Sequence, residues 1–496
     1  MQTDCNTTLF EFAPVDDRKV VARFDGGRMT SNAGALLLGG VDKAIGLIER
    51  AARCFVDRRD PRLIEHSVAT LVGQRIIGLA LGYEDLVDHD ALRHDPLLAV
   101  LAGKLKARRA DCAPVAGKST LNRLERSKPT PSLYHKISHD GGAIEKLLVD
   151  LFLEAHRSAP AEIVLDLDAT DDPLHGEQEG RFFRGYYDSY CYLPLYVFCG
   201  DHLLVAKLRK ADIDASAGAV EEIARVIGQI RACWPAVRIV LRADSGFARE
   251  ALMTWCEANG VDYVFGLAKN ARLNGQIAVE LAAAAAQSVE TGKPARWFKD
   301  FNYRTLDSWS RARRVIGKAE WMTPTAAEAD DGTQRRKRKK KKANKARKAT
   351  AADVPPAPAL PGRANPRFVV TSLSAGQCEA RALYEKRYCA RGEMENRIKE
   401  CQLDLFADRT SSHTMRANQL RLWLASLAYV LMSALRRIGL ANTRLADATC
   451  GTIRLKLLKI GALVKISVRR VLFSMASAFP YVDAYTTAWA ALPSAA

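Results

Sequence analysis

From Ile163 to Leu267 the apolar residues gather into short, nearly unbroken runs, and longer amphipathic stretches separate them. Such runs, bounded by turn residues, predict strands, and the stretches between them predict helices, so the centre of the chain reads as α/β. Ile163 to Asp168 is the first strand. Cys191 to Cys199 and Leu203 to Leu208 are two more, and the Gly200-Asp201 turn between them predicts an antiparallel hairpin. Ala215 to Cys233 is an amphipathic helix, and Val237 to Arg242 is an apolar strand running out at Asp244. Ala248 to Asn259 is a helix closed by Gly260, and Asp262 to Leu267 is a strand. The order is then interrupted by an alanine-rich helix, Ala278 to Val289, and by strands at Trp297–Tyr303, Ala312–Ile316 and Arg367–Ser372.

The flanks have a different period. Residues 1 to 155 are mainly helical, with Leu37, Leu38, Val41, Ile45 and Ile48 at helical spacing. A helix over Ser67–Leu81, a break at Gly82 and a second helix over Glu84–Arg93 give the outline of a helix-turn-helix, an outline ordinary helical domains share. Val115 to Thr120 has the look of a phosphate loop, but Cys112 stands where its first glycine is required and no strand precedes it. Ser119 or Thr120 reads instead as the N-cap of a helix through Leu121 and Leu124. Thr414–Arg437 is a long amphipathic helix, packing on its own domain or against a second copy. Thr452–Val471 alternates apolar residues with lysine and arginine, which suggests a basic β-hairpin, with a helix as the alternative.

Charge changes the picture. Lysine and arginine total 74 against 56 acids, a net charge of +18 that favours a polyanionic partner over an acidic small molecule. Much of the excess lies in one block, Arg335, Arg336, Lys337, Arg338, Lys339 and onward to Lys348, with a proline-rich stretch after it. So dense a run of like charge cannot pack and is expected to be disordered. Eleven cysteines form no C-x-x-C pair, which points away from zinc and redox motifs and towards reduced thiols in a cytoplasm. The N-terminus lacks the order of a signal peptide, and no apolar run is read as long enough to cross a bilayer.

Candidate chemistry sits on three separated segments. Two strands end on acid, at Leu165-Asp166-Leu167-Asp168-Ala169-Thr170 and at Arg242-Ala243-Asp244-Ser245-Gly246-Phe247. The third, Tyr388 to Lys399, sets Glu395 on a helix with Arg391 and Lys399 four residues to either side. Two strand-end aspartates and a helical glutamate make a hard oxygen cage of the type that holds Mg²⁺ or Mn²⁺ at about 2.0–2.1 Å. Such carboxylates can hold two ions about 3.5–4 Å apart around a phosphodiester. Asp166 rivals Asp168 for the first position, because residues two apart on a strand share a face. Asp168, at the strand end, is preferred. Arg391 and Lys399 are placed either to hold a phosphate or to pair with Glu395.

The element order, three strands, helix, strand, helix, strand, then the helix of Glu395, is that of a ribonuclease-H-like fold. With that order and these motifs, together with YEDLVDHDALRHDP at 83–96 and HGEQEG at 175–180, the chain resembles bacterial insertion-sequence transposases of the DDE class. Among these it is similar to the thirteen-eighty family, in which a β-rich insertion separates the second aspartate from the glutamate. The resemblance implies a ribonuclease-H-like catalytic domain at 156–269 and 375–410 and an insertion at 270–374 carrying a disordered basic loop at 330–362. A helical DNA-binding region at 1–155 would precede them, and an α/β extension at 411–496, a helix and a basic hairpin, would follow. It makes Asp168, Asp244 and Glu395 the catalytic acids holding two Mg²⁺ or Mn²⁺ ions, and matches Tyr388, Arg391 and Glu395 to the family's tyrosine-arginine-glutamate helix. Where a wider signature has lysine, seven residues after the glutamate, this chain has Gln402, so that role passes to Lys399.

The resemblance implies the chemistry, partners and assembly as well. Water opens the phosphodiester at an element end, and the freed 3′-hydroxyl attacks target DNA. The DNA partners are terminal inverted repeats and target duplex, and the enzyme works as a homodimer on paired ends at the bacterial nucleoid. The basic block at Arg335–Lys339 binds backbone, and Trp297, Trp309 or Trp321 stacks on a flipped base. A nuclease that cuts without joining and a silent DNA-binding descendant are the competing readings.

Overall fold

The computed structural model describes residues 8–130, 132–185, 187–323 and 362–493. Its centre is a nine-stranded mixed sheet. In chain order the strands are β1 (Glu162–Ala169), β2 (Leu195–Cys199), β3 (His202–Lys207), β4 (Arg238–Ala243), β5 (Asp262–Leu267), β6 (Ala295–Tyr303), β7 (Arg313–Met322), β8 (Arg363–Ala364) and β9 (Arg367–Thr371). Across the sheet the order is β3-β2-β1-β4-β5-β9-β7-β6, with β8 beside β7. β1, β4 and β5 are parallel, and every other pairing is antiparallel. The first five strands thus carry the predicted order. The strands of the interruption do not form a separate sheet but continue this one beyond β5.

The predicted hairpin is β2–β3, closed with Cys199 opposite His202 and Gly200 at φ +56°, a conformation that suits glycine. The longer predicted strand from Cys191 breaks at Leu193-Pro194, since proline has no N–H for a ladder. The detached piece, Ser189–Tyr192, pairs instead with Asp172–Pro173 and Phe182–Arg184 in a small three-stranded sheet.

Alternation along β1 and β4 divides the apolar residues between two faces. Ile163, Leu165, Leu167, Ile239 and Leu241 pack under the helices Ala219–Cys233 and Glu250–Ala258. Val164, Asp166, Asp168, Val240 and Arg242 lie on the other face, which the helical segment from Ala380 to Asp404 covers. That second face carries the acids.

The flanking segments share one core. Buried residues from Ala35 to Leu151 and from Met394 to Ala488 join Tyr196 and Phe198 of β2 in a single apolar cluster. At its centre is the helix Met415–Leu435, capped by Thr414, whose oxygen accepts from the Ala417 N–H at 3.3 Å. Leu420, Leu422, Leu424, Leu427 and Leu431 are all buried, so this helix is core and offers no face to a second copy. Met415–Leu440 is also long and apolar enough to cross a bilayer, contrary to the sequence reading, and most of it is buried inside the fold.

Three local expectations are corrected. The helix Val68–Ala80 forms with Ser67 as its cap, but Leu71 to Ala80 is buried without interruption and the second helix is a single turn, His89–Leu92. A recognition helix must be long and exposed, so this pair is not a helix-turn-helix DNA reader. Gly117, not Ser119 or Thr120, occupies the N-cap of Lys118–Glu125, and no side chain caps it. Cys450 to Leu458 is helical, with Ile453, Leu457 and Leu458 buried and Leu455 exposed. The hairpin begins only at Ala462–Ile466 and returns through Val471–Met475. The basic block at 335–348 and the proline-rich stretch lie outside the described residues.

Candidate active site

Register places the first two acids. β4 pairs with β1 in parallel up to Ala243 opposite Leu167. One residue further along each strand come Asp244 and Asp168, so they leave the sheet as neighbours on its helix-covered face. Asp168 Oδ1 accepts from the Ala169 N–H at 2.9 Å, and Asp244 Oδ1 accepts from the Gly246 N–H at 2.9 Å. Glu395 comes from the helix Gly392–Lys399, which buries Met394 and Ile398 against the core and leaves Glu395 about half exposed.

Arg391 links Glu395 to Asp168. Its Nη2 donates to Glu395 Oε1 at 2.7 Å and its Nη1 to Asp168 Oδ2 at 3.4 Å. The pairing of Arg391 with Glu395 is therefore present and extends to the first aspartate. Lys399 is exposed and makes no ion pair with any described carboxylate. Tyr388 packs its hydroxyl against Gly266 of β5 beside Asp244, and burial raises its pKa.

The structure separates Asp166 from Asp168. Both Asp166 oxygens are engaged by Arg242, Oδ1 by Nε at 2.5 Å and Oδ2 by Nη2 at 2.7 Å. Arg242 also donates from Nη1 to the Arg387 carbonyl at 2.6 Å, which ties β4 to the helical segment. Asp166 is thus a buried strut between strand and helix. Glu393 is exposed, and Glu400 is buried between Arg397 and Arg436, accepting the Cys450 N–H at 2.9 Å. Gln402 donates to the Asp171 carbonyl at 3.1 Å and to Asp172 Oδ1 at 2.9 Å, so it braces the exit of β1 against the same helical segment.

Electrostatics suit a cation here. Burial pushes the Asp168 carboxyl up to about 6; Arg391 opposes that, while Asp244 and Glu395 add to it. Negative charge is crowded at this point, and Arg391 relieves part of it. Among the described residues no three His, Cys, Asp or Glu side chains stand close enough to hold an ion as they are. The guanidinium supplies the positive charge between Asp168 and Glu395 instead. The donors are all carboxylate oxygens, the chemistry Mg²⁺ and Mn²⁺ prefer, so the residues fit such ions once Arg391 gives way.

The tryptophans fall in three environments. Trp309 is buried against Tyr303 and Arg313, which removes it as a stacking candidate. Trp321 lies on β7 with the Gly362 backbone against its ring. Trp297 on β6 is half exposed, its Nε1 donating to Gln287 at 3.0 Å. β6 is five strands from β1, about 24 Å at ordinary strand spacing.

Gly266 is a site residue that sequence reasoning missed. A Cβ there would stand 2.5 Å from Tyr388 Oη and 3.2 Å from the Asp244 carbonyl carbon. Gly266→Ala must therefore displace either Tyr388 or Asp244. Activity is expected to fall about a hundredfold, since shifts near 1 Å cost that much. Melting curves and turnover measured side by side would check it; full activity in the variant would show that the close packing is dispensable.

A protein-family model described as transposase DDE domain group 1 matches residues 12–329 and 357–496. No curated protein matches the chain.

Proposed function

The chain belongs to the group 1 DDE-domain transposase family, and from that premise we propose that it binds the ends of an insertion sequence, cuts them and joins them to target DNA. The observation that carries the proposal is the placement of Asp168 and Asp244 at adjacent parallel strand ends, with Glu395 joined to Asp168 through Arg391. Within the family, membership of the thirteen-eighty branch is part of this proposal, resting on the sequence motifs.

Asp168, Asp244 and Glu395 would hold two divalent ions, Mg²⁺ or Mn²⁺. Two such ions, when bound, supply charge neutralisation at the phosphate and help ionise the attacking oxygen. Arg391, released from its carboxylates, is then free to pair with a phosphate oxygen as a planar two-pronged donor, with Lys399 open to solvent one turn beyond Glu395. Tyr388 wedges the helical segment against Gly266 and so fixes the height of Glu395 over the strand ends. No side chain is needed as a covalent carrier; the protein's part is positioning and charge. Joining needs two ends held together, so the acting species is a dimer on paired ends, two-fold symmetric, in the bacterial cytoplasm.

The direct test incubates protein, labelled end DNA, Mg²⁺ and a target plasmid. Cleavage with joining supports the proposal; cleavage alone indicates a nuclease, and binding alone a silent derivative.

The basic block at Arg335–Lys348 is proposed to add affinity without sequence information through counterion release. Deleting it should flatten the plot of log affinity against log salt and weaken specific and unrelated DNA about equally. Loss of end specificity with an unchanged slope would contradict this.

A further inference from the structure

We propose that the two ends of the chain build a β-ribbon that grips duplex DNA. The ribbon is the hairpin Ala462–Ile466 and Val471–Met475, with Met29–Thr30 added along one edge. Ala462 pairs with Thr30 and Leu463 with Met29, and the Val464 N–H donates to the Arg28 carbonyl at 2.8 Å. At its root Ala462 is buried beside Ile460 and Ala33 and Val464 is buried too, so the ribbon is anchored to the body. Every residue from Lys465 to Arg470 is exposed, and Val468 at the tip is fully so.

The tip is preformed. The Ser467 N–H donates to the Arg470 carbonyl at 2.9 Å, and the Arg470 N–H donates to Ser467 Oγ at 3.2 Å. A projecting ribbon closed by its own hydrogen bonds loses little freedom on binding.

Its charge selects the partner. From Ala448 to Val482 the chain carries Arg454, Lys456, Lys459, Lys465, Arg469 and Arg470 without a single Asp or Glu. Arg454 and Lys459 are spent inside the fold, on the Ala80 carbonyl and Asn32. Lys465, Arg469, Arg470 and, on the neighbouring edge, Arg28 make no ion pair with any described carboxylate. Uncompensated positive charge on a rigid projection calls for a polyanion. A two-stranded ribbon has the width of the duplex major groove, about 12 Å. Single strands are gripped by exposed stacking aromatics, and the ribbon's one aromatic, Phe473, turns towards the core. Duplex DNA is therefore the occupant.

The inference rests on the transposase reading for its choice of polyanion, and the experiment keeps the two apart. The full chain with Lys465→Ala, Arg469→Ala and Arg470→Ala is compared with wild type by fluorescence anisotropy over a salt series. The probes are an element-end duplex, an unrelated duplex and a single strand. Duplex affinity is expected to fall about ten- to hundredfold, and the salt slope to become shallower by about 2.7 for three lost phosphate contacts. These side chains are exposed, so the melting temperature should not move. A second variant, Arg469→Glu with Arg470→Glu, should lose more duplex affinity than the triple alanine. An unchanged duplex affinity and slope, or a loss confined to the single strand, overturns the proposal. If wild type neither cuts nor joins DNA while the variants still lose duplex binding, the functional reading fails and the ribbon stands.

Discussion

Asp244→Ala is expected to abolish DNA cleavage, by at least about a thousandfold, while duplex affinity is kept or slightly raised. The loss corresponds to several kcal/mol of transition-state stabilisation, the scale on which a divalent ion acts at a phosphoryl oxygen. Affinity survives because a carboxylate repels the backbone, and removing it leaves the basic surfaces untouched. Asp168→Ala and Glu395→Ala should behave alike, since Arg391 bonds both carboxylates and the charge of Asp244 acts on Asp168. Asp166→Ala should not. Removing that carboxylate leaves Arg242 buried without its partner, at a cost of about 3–5 kcal/mol, so the protein should melt earlier. Any fraction that stays folded should still cut. Cleavage assays and melting curves on the four variants would decide it. A dead, normally folded Asp166→Ala beside an active Asp168→Ala would reverse the assignment.

The second large effect is on stability. Glu125 is fully buried and accepts from Arg75 Nε and Arg421 Nε, each at 2.8 Å. Those arginines come from the helices Val68–Ala80 and Met415–Leu435, so one carboxylate ties the N-terminal helices to the central one. Glu125→Ala leaves Arg75, itself buried, with an uncompensated charge, and about 3–5 kcal/mol of stability should be lost. Burial alone would raise the Glu125 pKa, but the two guanidiniums more than offset that and hold it below its ordinary value. A depressed pKa stabilises the fold above the ordinary glutamate range, and the contribution is lost as pH falls towards the folded-state value. Wild type should therefore lose stability on acidification over a range where the alanine variant is flatter. Denaturant unfolding at two pH values tests both points; a loss under 1 kcal/mol would mean the pair is replaceable.

Much of the sheet was legible because its parallel strands are buried on both faces and read as apolar runs, Val237–Arg242 and Asp262–Leu267 above all. Elements whose shape depends on distant partners were not. Ile453, Leu455 and Leu457 alternate like a strand, yet Ile453 and Leu457 also lie one helical turn apart, and packing against the core chose the helix. The break at Pro194 was visible as a residue, but the small sheet it releases depends on pairing with Asp172–Pro173 and Phe182–Arg184, too short to show a period. At the site, three acids could be picked from strand ends and helix spacing. Register adds an argument for proposing Asp168 over Asp166, because Arg242 engages Asp166 only once β4 lies against β1. A hint was present: Arg242 precedes Asp244 by the two residues that separate Asp166 from Asp168.

β7 and β8 close on one another, with Trp321 opposite Ala364 and Met322 opposite Arg363. The chain thus leaves the sheet and re-enters it at points about 5 Å apart, the ordinary distance between paired strands. Both anchor points are therefore fixed by the sheet itself. Five paired residues hold β7 against β9, from Arg314 opposite Thr371 to Lys318 opposite Arg367, so that register does not depend on the segment between. Changes of sequence between the two anchor points are therefore expected to leave the strand ends that carry Asp168 and Asp244 undisturbed.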